Sequence, residues 1–203
     1  MKNKKLLIGC GGVALVAIII GVILFFWGQK TYNNLVVLDE GIKSAWSQVE
    51  NQYQRRYDLI PNLVNTVKGV ANFEKETYIA VAEARAKVGQ INITPELMND
   101  PAAFQQFQLA QDNLSGALSR LLVAVENYPE LKANENFLQL QAQLEGTENR
   151  ISVERKKFNE TVQGYNTTIR QFPGNIIAGF FGFVQKEYFK AMAGAENAPK
   201  VEF

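Results

Sequence analysis

The side chains in this sequence that could carry chemistry are carboxylates and arginines, and they fall in two short stretches. The first stretch contains Glu50, Arg55, Arg56 and Asp58, and the second contains Glu145, Glu148, Arg150, Glu154 and Arg155. A pair of glutamates could act as a general acid and a general base. The same residue types at helical spacing are also typical of solvated helix faces and of a polar layer between packed helices.

Three interpretations of these charged residues are open. Arg56, Glu148 and Arg155 occupy positions where packed helices should be apolar. We therefore expect a polar layer in which Glu148 and Arg155 pair with Arg56 or with each other. Alternatively, Arg55, Arg56 and Asp58 form a patch that binds a partner protein. The third interpretation is catalysis by the carboxylates.

The residues missing from the sequence weigh against catalysis. The chain has no histidine and a single cysteine, Cys10. Zinc sites of the usual type, Ser-His-Asp or Cys-His units and the Glu-x-x-His motif of di-iron bundles therefore cannot be built. There is also no Gly-rich phosphate loop, and a net charge of +1 gives no reason to expect nucleic-acid binding. We predict a protein that is not an enzyme, with no cofactor, metal or small-molecule substrate.

The elements that must position these residues begin with an apolar stretch, residues 6–27, which has no charge, amide or hydroxyl. It is longer than the about 20 residues that cross the ~30 Å core of a bilayer as a helix. A signal peptide would be shorter and would end in small residues, whereas this stretch ends in Phe25, Phe26 and Trp27. A lipoprotein signal around Cys10 would have its apolar run before the cysteine rather than after it. We predict an uncleaved transmembrane helix that contacts the lipid bilayer.

The charges beside this helix predict its orientation. Lys2, Lys4 and Lys5 precede the span, and Lys30 is the first basic residue after it. Basic residues are enriched on the cytoplasmic side. The prediction is a single-pass protein of the bacterial inner membrane, with residues 1–5 in the cytoplasm and the remainder outside.

A stripe of small residues runs along the predicted span: Cys10, Ala14, Ala17, Gly21 and Gly28. Small residues at such steps let two membrane helices approach closely, which favours a homo-oligomer. The alternative is chance, because glycine and alanine are common in spans.

After the span, apolar residues recur at helical spacing and predict four helices. The first helix reaches Lys68 and Gly69, and Pro61 either kinks it or starts a new helix capped by Asp58. The second runs from an N-cap at Asn72 to Gly89, and a loop follows over residues 90–99. The third runs from Asp100 to about Asn127. The fourth begins near Asn134 and carries a seven-residue apolar repeat from Phe137 to Phe172. The predicted fold class is all-α, with residues 28–171 as an up-and-down four-helix bundle of long antiparallel helices.

The C-terminal residues 172–203 form an apolar segment and a tail. The apolar side chains of this segment include Ile176, Ile177, Phe180, Phe181 and Phe183. Two interpretations are open: a flap that closes the end of the bundle core, or an interfacial segment resting on the bilayer beside the span.

Several blocks of the sequence resemble the LemA family. They are TYNNLV, SAWSQVENQYQRRYDLIPNLVNTVKGVA, ARAKV, ALSRLLVAVENYPELKAN, FLQLQAQLEGTENRISVERKKFNETVQGYN, FPGNIIAGFFGF and PKVEF. One departure is Phe73, which stands where family members often have a histidine and so argues against metal or acid-base chemistry there. The resemblance implies a helical bundle on one membrane anchor in a bacterium, and it implies no reaction.

Two functional hypotheses follow from the sequence. The first is a membrane-anchored scaffold or interaction protein that self-associates. The second is an adaptor or regulator that docks onto another membrane protein, such as a protease, a transporter or a stress-response partner.

Overall fold

The protein is all-α in the computed structural model, as the sequence predicts. The structure describes the backbone of residues 2–70, 73–91 and 93–191, and their side chains except those of residues 2–11, 13, 14, 95 and 96. No strand occurs in these ranges. The elements are α1 (Lys2–Lys68), α2 (Lys75–Gly89), a 3-10 helix (Pro95–Asn99), α3 (Pro101–Val125), α4 (Pro129–Lys132), α5 (Glu135–Arg170) and α6 (Gly174–Phe181).

Helix α1 is continuous from Lys2 to Lys68 and passes through Pro61. The alternative of a new helix capped by Asp58 is therefore excluded. From Leu15 onward, this helix is long and apolar enough to cross a membrane.

Capping residues explain where two of the later helices, α3 and α5, begin. The Asp100 carboxylate accepts hydrogen bonds from the backbone N–H groups of Ala102 and Ala103, at 2.9 and 3.1 Å, and Pro101 occupies the first helical position. Asn134 Oδ1 accepts from the N–H of Phe137 at 3.1 Å at the start of α5. The predicted cap Asn72 lies outside the described residues. Helix α2 begins only at Lys75, with Glu74 at the N-cap position and no side-chain capping hydrogen bond there.

Two short helices were absent from the sequence prediction. The 3-10 helix lies within the expected loop at residues 90–99, and α4 begins where Tyr128 and Pro129 were expected only to stop α3. Both begin with proline, because its fixed φ angle suits the first turn and its missing N–H is not needed there.

The chain forms two compact units. The first combines residues 1–41 with 164–185, and the second combines 42–163 with 186–203. The second unit has a core to which all four long helices contribute. Its members include Ile60, Leu63, Val67, Val81, Val88, Leu114, Leu118, Leu121, Val125, Phe137 and Leu144. The up-and-down order of these helices and the domain boundaries 28–171 stay predictions.

The seven-residue repeat of α5 is buried from Phe137 to Tyr165 and then fails. Phe172 was expected to continue it, but α5 ends at Arg170 and the Phe172 side chain is 81% exposed. A seven-residue repeat keeps side chains on one face only within a helix, so it does not predict the direction of a side chain beyond the helix end.

In the first unit, α6 packs beside α1. The ring centroid of Tyr32 lies 4.6 Å from that of Phe181 and 5.8 Å from that of Phe183. Gly182 ends α6 in the left-handed conformation, with φ at +76°, which glycine adopts without steric cost. Residues 183–191 then continue without helix.

Candidate functional site

The most buried charge that the structure describes in the second unit belongs to Arg56, whose side chain is 1% exposed. Its Nη1 donates to Ser115 Oγ and to Glu148 Oε1, both at 2.6 Å, and its Nη2 donates to Gln111 Oε1. The guanidinium carbon also lies 5.2 Å from the ring centroid of Tyr53. The structure therefore brings Arg56 and Glu148 together as an ion pair within a network from three helices.

Several polar atoms of this network have no hydrogen-bond partner among the described residues: Arg56 Nε, Gln111 Nε2 and the Tyr53 hydroxyl. Burial raises the pKa of Tyr53 to about 12, because the phenolate would be poorly solvated, although the charges of Arg155 and Arg56 oppose the shift. Burial thus favours the neutral phenol form of Tyr53.

Arg155 occupies a second polar site rather than joining Glu148. Its Nη1 lies 3.5 Å from Asp112 Oδ1, and its Nη2 donates to the backbone carbonyl of Lys190 at 3.1 Å. Its guanidinium carbon lies 4.6 Å from the ring centroid of Phe189. Glu148 and Arg155 of α5 thus belong to two separate polar sites. Glu148 pairs with Arg56, and Arg155 pairs with Asp112 and the Lys190 carbonyl.

An extended segment, residues 186–190, which we call the strap, is held by side-chain amides. The Gln108 side chain donates to the Lys190 carbonyl at 2.6 Å and accepts from the Lys190 N–H at 3.3 Å. The Asn159 side chain makes the same reciprocal pair with the backbone of Phe189, both bonds at 2.9 Å. The two amides satisfy backbone groups of Phe189 and Lys190 in a partly buried segment.

The strap inserts one aromatic side chain into the core. Phe189 is 6% exposed, and its ring centroid lies 6.0 Å from that of Trp46, 5.0 Å from that of Phe104 and 5.3 Å from that of Phe158. This aromatic cluster ties the strap to α1, α3 and α5.

Beside the strap lies an open cleft of about 750 Å³. Its charged lining comes from Asp112, Glu148, Arg155, Lys156, Glu160 and Lys190. Such a surface offers ion pairs and hydrogen bonds of both signs, and it suits the binding of a polar protein segment better than the activation of a nucleophile.

The expected partner-binding patch is divided, because Arg56 lies on a different side of α1 from Arg55 and Asp58. Arg55 and Asp58 are exposed, and Asp58 Oδ1 accepts from Gln54 Nε2 at 2.8 Å, whereas Arg56 is buried. Successive helical residues are about 100° apart, so Arg55 and Arg56 cannot share one face.

The small-residue stripe is divided by the fold of the first unit. Ala17 and Gly21 are exposed, and no atom lies within 4 Å of a Cβ placed on Gly21. Gly28 is covered, because a Cβ placed there would lie 3.7 Å from Ile177 Cδ1. The side chains of Cys10 and Ala14 lie outside the described residues.

The side chains expected at a membrane interface are unequally exposed. Ile176, Phe180 and Phe181 are exposed, whereas Ile177 and Phe183 are half-buried. Beyond α6, the aromatic side chain of Phe189 is buried in the core of the second unit, against Trp46.

Sequence reasoning missed the polar partners Gln108, Gln111 and Asn159. One signal was available: Gln111 lies seven residues after Phe104 and seven before Leu118, so it interrupts an apolar repeat in α3. Asn159 follows the buried Phe158 and carries no comparable signal.

The sequence is similar to one protein family and to several named bacterial proteins. A sequence model described as LemA family matches residues 45–203. Magnetosome protein MamQ 2 of Paramagnetospirillum magneticum is 27% identical over 175 residues, covering 78% of this chain and 64% of its own length. Magnetosome protein MamQ of Magnetospirillum gryphiswaldense is 28% identical over 174 residues, with the same shares. Protein LemA of Metamycoplasma hominis is 26% identical over 160 residues, covering 78% of this chain and 68% of its own length. The chain thus spans less than two thirds of the MamQ proteins.

Proposed function

Because this chain belongs to the LemA family, we propose that it is a membrane-anchored helical scaffold that self-associates and catalyses no reaction of its own. The family description and the names of the relatives refer to no reaction. The buried arginine network supports the same conclusion, since its described side chains bind one another and include no nucleophile paired with a base.

The observation that carries the proposal is the exposed apolar surface near the N-terminal end of α1. Between Leu15 and Phe26, the large apolar side chains are 49% to 68% exposed. A helix that is apolar all round is stable only where other apolar groups surround it, and a bilayer provides them. Lys2, Lys4 and Lys5 favour an orientation with the N-terminus in the cytoplasm of a bacterial cell and the helical domain outside its inner membrane.

Self-association through the span is supported by the open surface at Ala17 and Gly21. A second copy could approach closely there, because neither side chain extends beyond a methyl group. The test is the mass of the full chain in mild detergent, combined with crosslinking in native membranes. We expect Gly21→Leu to lower the crosslinked dimer fraction and Ile23→Leu, on the opposite side of the helix, to leave it unchanged. A wild-type chain that is monomeric at every concentration would refute the scaffold proposal.

The second candidate function is an adaptor for another membrane protein, and the charged cleft beside the strap favours it. Affinity purification from native membranes, read by mass spectrometry, separates the two candidates. A stoichiometric foreign membrane protein, lost when Lys156 and Glu160 are changed to alanine, would support the adaptor. A large homo-oligomer without such a protein would support the scaffold.

A further inference from the structure

Five large apolar side chains are exposed within residues 172–184, which we call the apolar segment. They are Phe172 at 81%, Ile176 at 57%, Phe180 at 82%, Phe181 at 54% and Val184 at 54%. Isolated exposed apolar residues are ordinary, but a contiguous group of this kind marks a surface that other apolar material covers.

The apolar segment is fixed in place rather than merely exposed. Gly174 and Ala178 of α6 are buried, and Ile177 faces Gly28 of α1. A Cβ added to Gly174 would lie 2.7 Å from the carbonyl oxygen of Thr168, so only glycine fits there. The hydroxyl of Tyr165 also donates to the carbonyl of Val184 at 3.0 Å. One side of α6 thus packs against the first unit, which fixes the other side in an exposed position.

The position of the segment along α1 decides what covers it. Tyr32, which contacts Phe181, lies five residues beyond Trp27, the end of the apolar stretch. Five helical residues correspond to about 7.5 Å along the axis. The headgroup region on each side of the hydrocarbon core is about 5–7 Å thick. Once α1 crosses the bilayer, the contact of Tyr32 with Phe181 therefore lies at the outer edge of the headgroup layer. The contact of Gly28 with Ile177, one residue beyond Trp27, lies near the inner edge of that layer.

The polar groups beside the apolar segment are also of the kind found in the lipid headgroup layer. A groove of about 470 Å³ in the first unit is lined by residues that include Trp27, Lys30, Asn34, Gln171 and Phe172. An amphipathic ring, one cation and two amides next to exposed phenylalanine rings match the chemistry of a phospholipid interface, where headgroup phosphates adjoin acyl chains.

We propose that the apolar segment is a second membrane contact, with Ile176, Phe180 and Phe181 inserted among the lipids of the leaflet in which the span ends. The inference rests on the proposed membrane anchoring through α1. It gives the protein two adjacent attachments to one leaflet, one that spans the bilayer and one that lies in its surface.

The test uses the full chain with Cys10→Ala, reconstituted in vesicles of phosphatidylcholine and phosphatidylglycerol. Single cysteines at Phe180, Val22 or Val123 carry an environment-sensitive fluorophore, and the lipids are brominated near the headgroup or deep in the chain. Val22 reports the span, and Val123 is a matched control on α3, 67% exposed. We expect the label at 180 to shift to the blue and to be quenched several-fold more than the label at 123, most strongly by the shallow bromines.

The outcomes separate the two proposals. Quenching at 22 without quenching at 180 would overturn the interfacial contact and leave the anchoring intact. Protection of position 180 from aqueous iodide without lipid quenching would show that a protein surface covers it, which also overturns the proposal. No quenching at 22 would overturn both. A second label at Ile176 guards against a local artefact, and it should be quenched with the label at 180.

Discussion

Removing the carboxylate of Glu148 should destabilise the second unit, because it leaves the charge of Arg56 buried with too few acceptors. Breaking a fully buried ion pair by removing one partner costs about 3–5 kcal/mol. Here the side chain of Arg56 is 1% exposed, but that of Glu148 is 38% exposed. Water can therefore replace part of the lost carboxylate, and we expect Glu148→Ala to lower the free energy of unfolding by about 2–3 kcal/mol.

The same change should cost little once the arginine is gone. In an Arg56→Met background, Glu148→Ala removes a half-exposed carboxylate without a buried counter-charge, and the expected loss is below about 0.5 kcal/mol. Glu154→Ala on the same helix is the matched control. Its carboxylate lies 2.7 Å from Lys157, but Lys157 is 59% exposed, so the loss should also stay below about 0.5 kcal/mol.

The assay is reversible urea unfolding of the full chain in a mild non-ionic detergent. Trp46 fluorescence reports the second unit if Trp27 is changed to phenylalanine in every variant. An equal loss in both backgrounds would refute the claim that Glu148 acts through Arg56. A loss no greater than that of Glu154→Ala would refute the claim that the pair is buried enough to matter.

The remaining predictions use the same assay. Phe189→Ala should cost about 3–5 kcal/mol and Val123→Ala, an exposed position in the same unit, less than about 0.5, and equal losses would contradict the packing of the strap. Asn159→Ala should cost about 1–2 kcal/mol and speed hydrogen exchange of the Phe189 amide; an unchanged exchange rate would show that the strap is held otherwise. Tyr53→Phe should gain about 1 kcal/mol, because it removes a buried hydroxyl that has no hydrogen-bond partner among the described residues. Because the folded pKa of Tyr53 is about 12, the unfolded chain loses that proton first above pH 10. Stability should therefore fall between pH 10 and 12, less steeply in Tyr53→Phe, and equal slopes would contradict the shift.

Periodicity predicted the helices well because each depends on local residues. Apolar residues at helical spacing located α1, the seven-residue repeat located α5, and the Asp100-Pro101 pair marked the start of α3 within one residue. Of the two alternatives left open at Pro61, the uninterrupted helix is the one observed, since the packing around it tolerates one lost backbone hydrogen bond. The short helix α4 was missed because four residues are too few to show a period.

The candidate site was only partly visible in the sequence. Arg56 and Glu148 are conspicuous as charges at apolar positions, but their partners depend on which turn of one helix faces which turn of another. The apolar pattern repeats every turn, so it does not show how far one helix is shifted along its neighbour. The strap has no helical period at all, so its burial depends on Gln108 and Asn159, which lie far from it in the sequence.

The place of Phe189 in the aromatic cluster has a consequence for synthesis. Trp46, Phe104 and Phe158 all leave the ribosome before Phe189, so the second unit cannot complete its core until the strap has been made. Until Phe189 is made, the faces of Trp46, Phe104 and Phe158 that it covers stay uncovered, and a chaperone can bind them. The second unit therefore completes its aromatic cluster only when a non-helical segment, made after all four long helices, docks onto α1, α3 and α5.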